Sequence, residues 1–456
     1  MAGIVACAFF METLDSTVIV MALPRMAAAF GTSAVRLSLG LTAYIITLAI
    51  VIPASGWIAD RLGTRNVFCA ALGVFTAASV LCGFSDSVTE FVLARVLQGI
   101  GGAMMSPVGR LVVLRSTERR DLVRVMNFVT LPGLIGPVIG PPVGGFITTY
   151  LSWRYIFFLN VPVGLLGMTL VASLIHNFYG VTRRPFDVFG FLLNGTALGT
   201  LIYGMDLLGH RGAGAEGAAL IAFGLAVGAF AVYHAMRARH PLVELSAFRQ
   251  VSFKAVNAGG SFFRMAISGP TFLLPLLFQV GLGMTAFAAG LLLLVHASGD
   301  FAAKLVTTWF IRSFGFRAAL LWTAIVFAAL MTSCAFFSAA TSVYVIMPIL
   351  FVSGACRSLQ MTAQTSFQFA DIGTDGVTAA STLSSALLQI VRAVGVGLAA
   401  AVLSLSLAMR GGDAVALADF RVGFLAIALV ALGSLFWYWP LHPAAGADLT
   451  GKGPGR

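Results

Sequence analysis

GWIADRLGTR, residues 56–65, sets one carboxylate, two guanidinium groups and a glycine between two apolar runs, 38–59 and 66–84. An α-helix needs roughly 20 apolar residues to cross the hydrocarbon of a bilayer. A short charged turn between two such runs reads as a hairpin of membrane-crossing helices with its turn in water.

Working outward from this hairpin, the same pattern fills the chain. Of 456 residues, 59% are hydrophobic and 10% charged, against about 25% charged in a soluble domain. Fourteen apolar runs stand near 3–24, 38–59, 66–84, 90–112, 123–148, 154–175, 187–209, 216–236, 251–277, 286–310, 316–338, 341–366, 376–408 and 420–440. The fold class is an all-α polytopic membrane protein. Gly395 and Gly397 are expected to break or bend the thirteenth, unusually long run. No stretch between runs is long enough for a folded domain.

The net charge of +11 does not point to nucleic acid, because the basic residues sit in alternate short loops. With the N-terminus in the cytoplasm, seventeen loop and tail arginines and lysines fall on the cytoplasmic side and six on the other, the asymmetry of a multi-pass protein with both termini inside. The turn holding Asp371 and Asp375 departs from this, being acidic on the same side. The five cysteines show no paired spacing, so neither a metal site nor a disulfide is expected. No basic region precedes the first apolar run, so a cleavable signal peptide is not expected, and a start further upstream stays open. Only three lysines stand among 28 basic residues, which hints at a GC-rich bacterial genome.

The charged turn has a second copy. WFIRSFGFR, residues 309–317, again places a glycine two residues before an arginine: Gly315 and Arg317 answer Gly63 and Arg65. Each copy follows the second helix of a presumed six-helix half, the mark of an internal repeat.

Five stretches in order now resemble the major facilitator superfamily. GWIADRLGTR is similar to its loop motif. LARVLQGIGGAMMSP (93–107), with Arg95, Gln98 and Gly99, is similar to its helix-four motif. LPGLIGPVIGPPVGG (131–145) is similar to its antiporter motif in helix five, and LDSTVIVMALP (14–24) and WRYIFFLNVPVG (153–164) resemble the fourteen-helix drug:proton antiporter branch. The resemblance implies a six-helix bundle over 1–178, two inserted helices within 179–250, a second bundle over 251–441 and a flexible cytoplasmic tail over 442–456. It implies a secondary exporter in the bacterial cytoplasmic membrane, working by alternating access. Such a protein needs no cofactor beyond the proton gradient, exchanges protons for a small molecule and is expected as a monomer. Asn66 departs from the family pattern, which has a further basic residue there. The resemblance also implies that Asp60, Arg61, Gly63 and Arg65 form a cytoplasmic latch; the alternative is a solvated turn that only sets topology.

Chemistry-bearing residues inside the apolar runs sharpen this. Glu12 and Asp15 are three apart, so they share one side of the first helix. Ionised carboxylates do not face lipid, so both are expected toward a central cavity or another helix. Burial and a neighbouring carboxylate both disfavour the ionised form, so such a pair can exchange protons against a cargo. Arg95 is the expected counter-charge of Asp15; a permanent salt bridge that merely orients helices is the alternative. Gly136, Gly140 and Gly144 recur every four residues on one face, flanked by Pro137, Pro141 and Gly145. This reads as a hinge and seal, or as plain close packing. In the second half, His296, Asp300 and Lys304 share a face; they form a binding face, or Asp300 and Lys304 neutralise each other, the blander and favoured reading. Arg264, Arg357 and Arg392 have no partner legible in the sequence. Gln98, Asn160, Arg357, Gln360 and Gln364 are expected along the cargo cavity.

Two motifs carry nothing. GADLTGKG (446–453) lacks the final Ser or Thr of a phosphate loop, and no strand precedes it. Asn194-Gly195-Thr196 lies within an apolar run, out of reach of glycosylation. An exporter of lipophilic, in part cationic compounds such as drugs is the leading reading, with an exporter of one metabolite as its alternative. A membrane-embedded enzyme would need a polar catalytic group near a sizeable loop, and a sensor an output domain; neither is legible.

Overall fold

The computed structural model describes residues 2–117, 122–179, 185–208, 214–238, 241, 245–368, 377–412 and 414–442. The tail from 443 onward, the acidic turn at Asp371 and Asp375, and the loop residues Arg119, Arg120, Arg183, Arg184, Arg211 and Arg239 lie outside them. All regular structure among the described residues is helical: α1 (Ala2–Phe30), α2 (Ala34–Leu62), α3 (Thr64–Phe84), α4 (Val88–Ser116), α5 (Leu122–Tyr150), α6 (Tyr155–Leu174), α7 (Val188–Leu207), α8 (Gly214–Arg237), α9 (Val251–Gly281), α10 (Ala286–Cys334), α11 (Val343–Phe367), α12 (Val377–Arg410) and α13 (Leu417–Tyr438).

A helix stands at each of the fourteen expected places, because the 49-residue α10 holds two spans joined at Gly315. Twelve of the helices are long and apolar enough to cross a membrane, and the 29-residue α5 occupies the fifth expected span. The molecule is a multi-pass membrane protein. Helix starts follow ordinary capping: Ser33, Ser87 and Ser342 each accept a backbone N–H of the first turn of α2, α4 and α11.

The internal repeat is visible in the backbone. Gly63 between α2 and α3 has φ 88° and ψ 139°, and Gly315 within α10 has φ 79° and ψ 165°. A side chain would be strained in either conformation, so both copies of the motif turn on the same glycine device. The thirteenth run is not broken: α12 runs without interruption through Gly395 and Gly397. A Cβ at Gly395 would stand 2.5 Å from the Met265 carbonyl oxygen, so close packing against α9 accounts for this glycine. Two widened π-helical turns in α9, Ala255–Gly259 and Leu277–Gly281, had no sequence signal.

The chain forms two compact units. The first comprises Met1–Asp206, Gly217–Leu242 and Thr285–Gly290; the second comprises Leu207–Glu216, Val243–Met284 and Leu291–Arg456. In the first, Val5, Phe9, Phe68, Phe75, Val108 and Val112 build the apolar core. A Cβ on Gly101 of α4 would stand 2.7 Å from the Phe75 backbone nitrogen, so small residues bring α3 and α4 into backbone contact. In the second, Phe316, Leu320, Ala363, Phe367 and Tyr438 form the core, with the Phe316 and Phe367 rings 5.5 Å apart.

Candidate functional site

Asp15 lies at the centre of the first unit. Asp15 is 2% exposed, and Arg95 from α4 is 1% exposed. Arg95 Nη1 donates to Asp15 Oδ2 at 2.7 Å. Asp15 Oδ1 accepts from Gln98 Nε2 at 3.0 Å and from Asn160 Nδ2 at 2.8 Å. Gln98 Oε1 accepts from Arg95, which fixes the orientation of its amide, and Ser79 Oγ accepts from both Gln98 and Asn160. The Tyr44 ring lies under the guanidinium, 4.2 Å from its carbon. Among the described residues neither Tyr44 OH nor Arg95 Nε has a hydrogen-bond partner. Five helices, α1, α2, α3, α4 and α6, thus meet at one charged pair. Every donor aimed at Asp15 suits an ionised carboxylate, which only accepts hydrogen bonds. Gln98 and Asn160, expected along the cargo cavity, both donate to the Asp15 carboxylate.

Glu12 stands one turn earlier on α1, half-buried, and accepts from Ser106 Oγ at 2.6 Å. The opposite side of α1 meets the glycine face of α5. A Cβ on Gly136 would approach Thr13 and the Leu14 backbone, one on Gly140 would run into Thr17, and one on Gly144 would lie 2.7 Å from the Val18 carbonyl oxygen. Helix α5 is therefore seated directly on the segment that carries both acids. Gly145 and Pro141 point elsewhere, against the backbone of Ala286, Phe287 and Gly290 in the first turn of α10.

At the α2–α3 turn, Asp60 is half-buried, and Arg61 stacks on Trp57 at 5.1 Å. The turn is tied by neutral groups: Asn177 Oδ1 accepts from Arg65 N at 3.0 Å, and Thr64 N donates to Phe178 O at 2.9 Å. The second unit repeats the arrangement, with Arg317 Nη2 donating to Trp439 O at 2.9 Å just past α13. In each half, the chain leaving the sixth helix clasps the turn after the second. Asn177→Ala is expected to cost about 1 kcal/mol and to lower efflux several-fold with the fold retained. Vesicle transport and the melting temperature check this.

In the second unit, Asp300 and Lys304 do not neutralise each other. Asp300 pairs with Arg357 of α11 at 3.6 Å, while Lys304 lies on the exposed face of α10. Their i, i+4 spacing permitted a pair, but the neighbouring helix supplies the cation. His296 Nδ1 lies 3.0 Å from Ser353 Oγ and 3.2 Å from Leu350 O. Lys304→Ala should therefore change stability by no more than about 0.5 kcal/mol, as is typical of surface changes, while Arg357→Ala, which strips Asp300, should lower the melting temperature measurably. Gln360 is fully buried beside Thr323, and Gln364 accepts from Arg264 Nε at 2.7 Å. Sequence reasoning missed Ser79, Tyr44 and Asn177. Single polar residues in apolar runs or loops carry no periodic signal, although Asn177 sits next to the motif turn in space.

The chain as a whole resembles known proteins. The family model described as Major Facilitator Superfamily matches residues 5–396. A relative from Klebsiella pneumoniae (strain 342), named "Putative multidrug resistance protein MdtD", is 37% identical over 406 residues, covering 88% of this chain and 85% of that protein. Its namesake from Serratia proteamaculans (strain 568) is 36% identical over 399 residues, covering 87% and 83%. Among solved structures, a bacterial homolog to the human lysosomal transporter Spinster, inward-facing and unoccupied, has a TM-score of 0.66 at 15% identity, covering 100% of this chain and 98% of that one. An auto-inhibited POT family peptide transporter has a TM-score of 0.67 at 13% identity, with 97% of each chain covered. At such identities the likeness concerns the fold alone.

Proposed function

Since this chain belongs to the major facilitator superfamily, we propose that it is a proton-coupled exporter of small lipophilic compounds, cationic ones included, working by alternating access. The relatives' name as multidrug resistance proteins supports the cargo class. The proposed setting is the bacterial cytoplasmic membrane, with both termini inside and the chain acting as a monomer.

The observation that carries this reading is the buried Asp15 carboxylate with its three donors from α4 and α6. A proton arriving on Asp15 makes it a weaker acceptor with an O–H of its own to place among three donors, and leaves Arg95 without its counter-charge. Leaving a buried charge unpaired costs about 3–5 kcal/mol, enough to make the protonated state favour a different helix arrangement. Helix α5 follows, because its glycine face packs on the opposite side of the α1 segment that carries Asp15. Glu12, half-buried, is the proposed entry acceptor for the proton. In the same reading Asp60, Arg61, Gly63 and Arg65 gate the far end of the bundle, and Asp300 with Arg357 and His296 belongs to the cargo path. One proton crossing 100 mV and one pH unit releases about 3.7 kcal/mol, which sustains a cargo gradient of several hundredfold.

Proteoliposomes with an acidic lumen test the proposal. Ethidium is expected to accumulate inside and to leak out when a protonophore collapses the gradient. Accumulation that ignores the gradient would remove proton coupling, and none across a panel of lipophilic dyes would remove the export reading.

A further inference from the structure

Among the described residues, the second unit holds a buried cation with no acid paired to it. Among the described residues two arginines are almost wholly inaccessible, Arg95 and Arg264 at 1% and 2% exposure. Arg95 is matched by Asp15. Among the described residues, the hydrogen-bond partners of Arg264 on α9 are neutral: Nε donates to Gln364 Oε1 at 2.7 Å, Nη1 to Asn257 Oδ1 at 3.1 Å and Nη2 to Gln368 Oε1 at 3.5 Å. Amide oxygens carry only a partial charge, so the desolvated guanidinium keeps an unmet attraction for an anion.

The geometry of those oxygens identifies the anion. Gln364 and Gln368 are one helical turn apart, and their oxygens occupy the Nε and Nη2 edge of the guanidinium. That edge is where the two oxygens of a carboxylate bind in a fork. The second contact is long, so the pair of amides fills the fork imperfectly. Both amides have other partners to keep if displaced: Gln364 Nε2 donates to Tyr438 OH at 3.0 Å, and Gln368 Oε1 accepts from Ser384 Oγ at 2.8 Å. Asn257 sits in the π-helical turn Ala255–Gly259, about two turns before Arg264. Such turns recur at functional sites, and this one re-aims an amide oxygen at the cation.

We infer that Arg264, held by Asn257, Gln364 and Gln368, is an anion-recognition site that takes the carboxylate group of a cargo, whose oxygens replace the two glutamine oxygens on the fork. Because Arg264 is closed off in this structure, the inference rests on the transport cycle proposed above, in which the site opens. The cargo class is then narrowed: lipophilic molecules bearing a carboxylate are bound in preference to their neutral isosteres.

The test uses the full-length purified protein and two fluorescent probes, 7-diethylaminocoumarin-3-carboxylate and its 3-carboxamide. The wild type is expected to bind the acid about tenfold more tightly than the amide. Arg264→Gln should reduce that ratio to about twofold or less. Arg264→Lys, which keeps the charge but loses the fork, should fall between; it also serves if the glutamine variant does not fold. Equal binding of both probes by the wild type, or an unchanged preference in either variant, would overturn the site. Ethidium accumulation by wild-type proteoliposomes separates the two readings. Transport of ethidium without discrimination between the coumarins removes the site alone, whereas discrimination through Arg264 with no gradient-driven accumulation of ethidium or any other dye of the panel removes the export reading and leaves Arg264 an anion-binding site outside that cycle.

Discussion

Asp15→Asn is expected to abolish gradient-driven ethidium accumulation and to make any residual flux independent of pH. The asparagine is close in size and still presents one oxygen to Gln98 and Asn160, but it neither titrates nor compensates Arg95. Removing one partner of a buried pair costs about 3–5 kcal/mol, so the variant should also melt at a markedly lower temperature. The double variant Asp15→Asn/Arg95→Gln separates the two effects: with both charges gone, stability should recover in large part while coupling stays lost. A double variant that regained coupled transport would mean that Asp15 is structural, and that protons travel elsewhere.

The second large effect is steric. Gly144→Ala places a methyl carbon 2.7 Å from the Val18 carbonyl oxygen, and backbone cannot move aside as a side-chain tip can. Overpacking of this kind costs about 1–3 kcal/mol, and here it pries α5 off the helix that carries the acids. Transport should fall at least about tenfold, the rate factor that about 1.4 kcal/mol corresponds to, with ethidium binding retained. Gly199 on α7 provides the contrast, since nothing lies within 4 Å of its would-be Cβ. Gly199→Ala should be neutral or stabilise by about 0.5–1 kcal/mol, as alanine does in place of a helical glycine. Equal outcomes for the two substitutions would contradict a coupling role for the glycine face.

The Asp15–Arg95 pair was legible because hydrocarbon leaves a charge few options, and two opposite charges in neighbouring motif helices are each other's simplest solution. Gln98 and Asn160 were legible as polar residues but not in their role, since nothing in a linear sequence says which side chain fills the second lone pair of Asp15. Ser79 was silent for the same reason: a serine in an apolar run ordinarily bonds to its own helix. The Asp300–Lys304 expectation failed because spacing along one helix says nothing about a better-placed arginine on the next. The repeated glycine turn was read from two short matches, and its reality lies in the shared positive φ of Gly63 and Gly315. Arg264 stood out as a charge without a partner. That its partners are neutral could be learned only from the packing of α9 against α11.

The most direct test of the central claim watches the Asp15 proton itself. Infrared difference spectra of the reconstituted protein, recorded on acidification and then on addition of ethidium, report carboxylic acid C=O stretching. A protonated-carboxyl band is predicted to grow as the pH falls, to vanish when ethidium binds, and to be missing from Asp15→Asn. A band that persists unchanged in Asp15→Asn, or one that ignores ethidium in the wild type, would contradict the exchange of protons for cargo at this carboxylate.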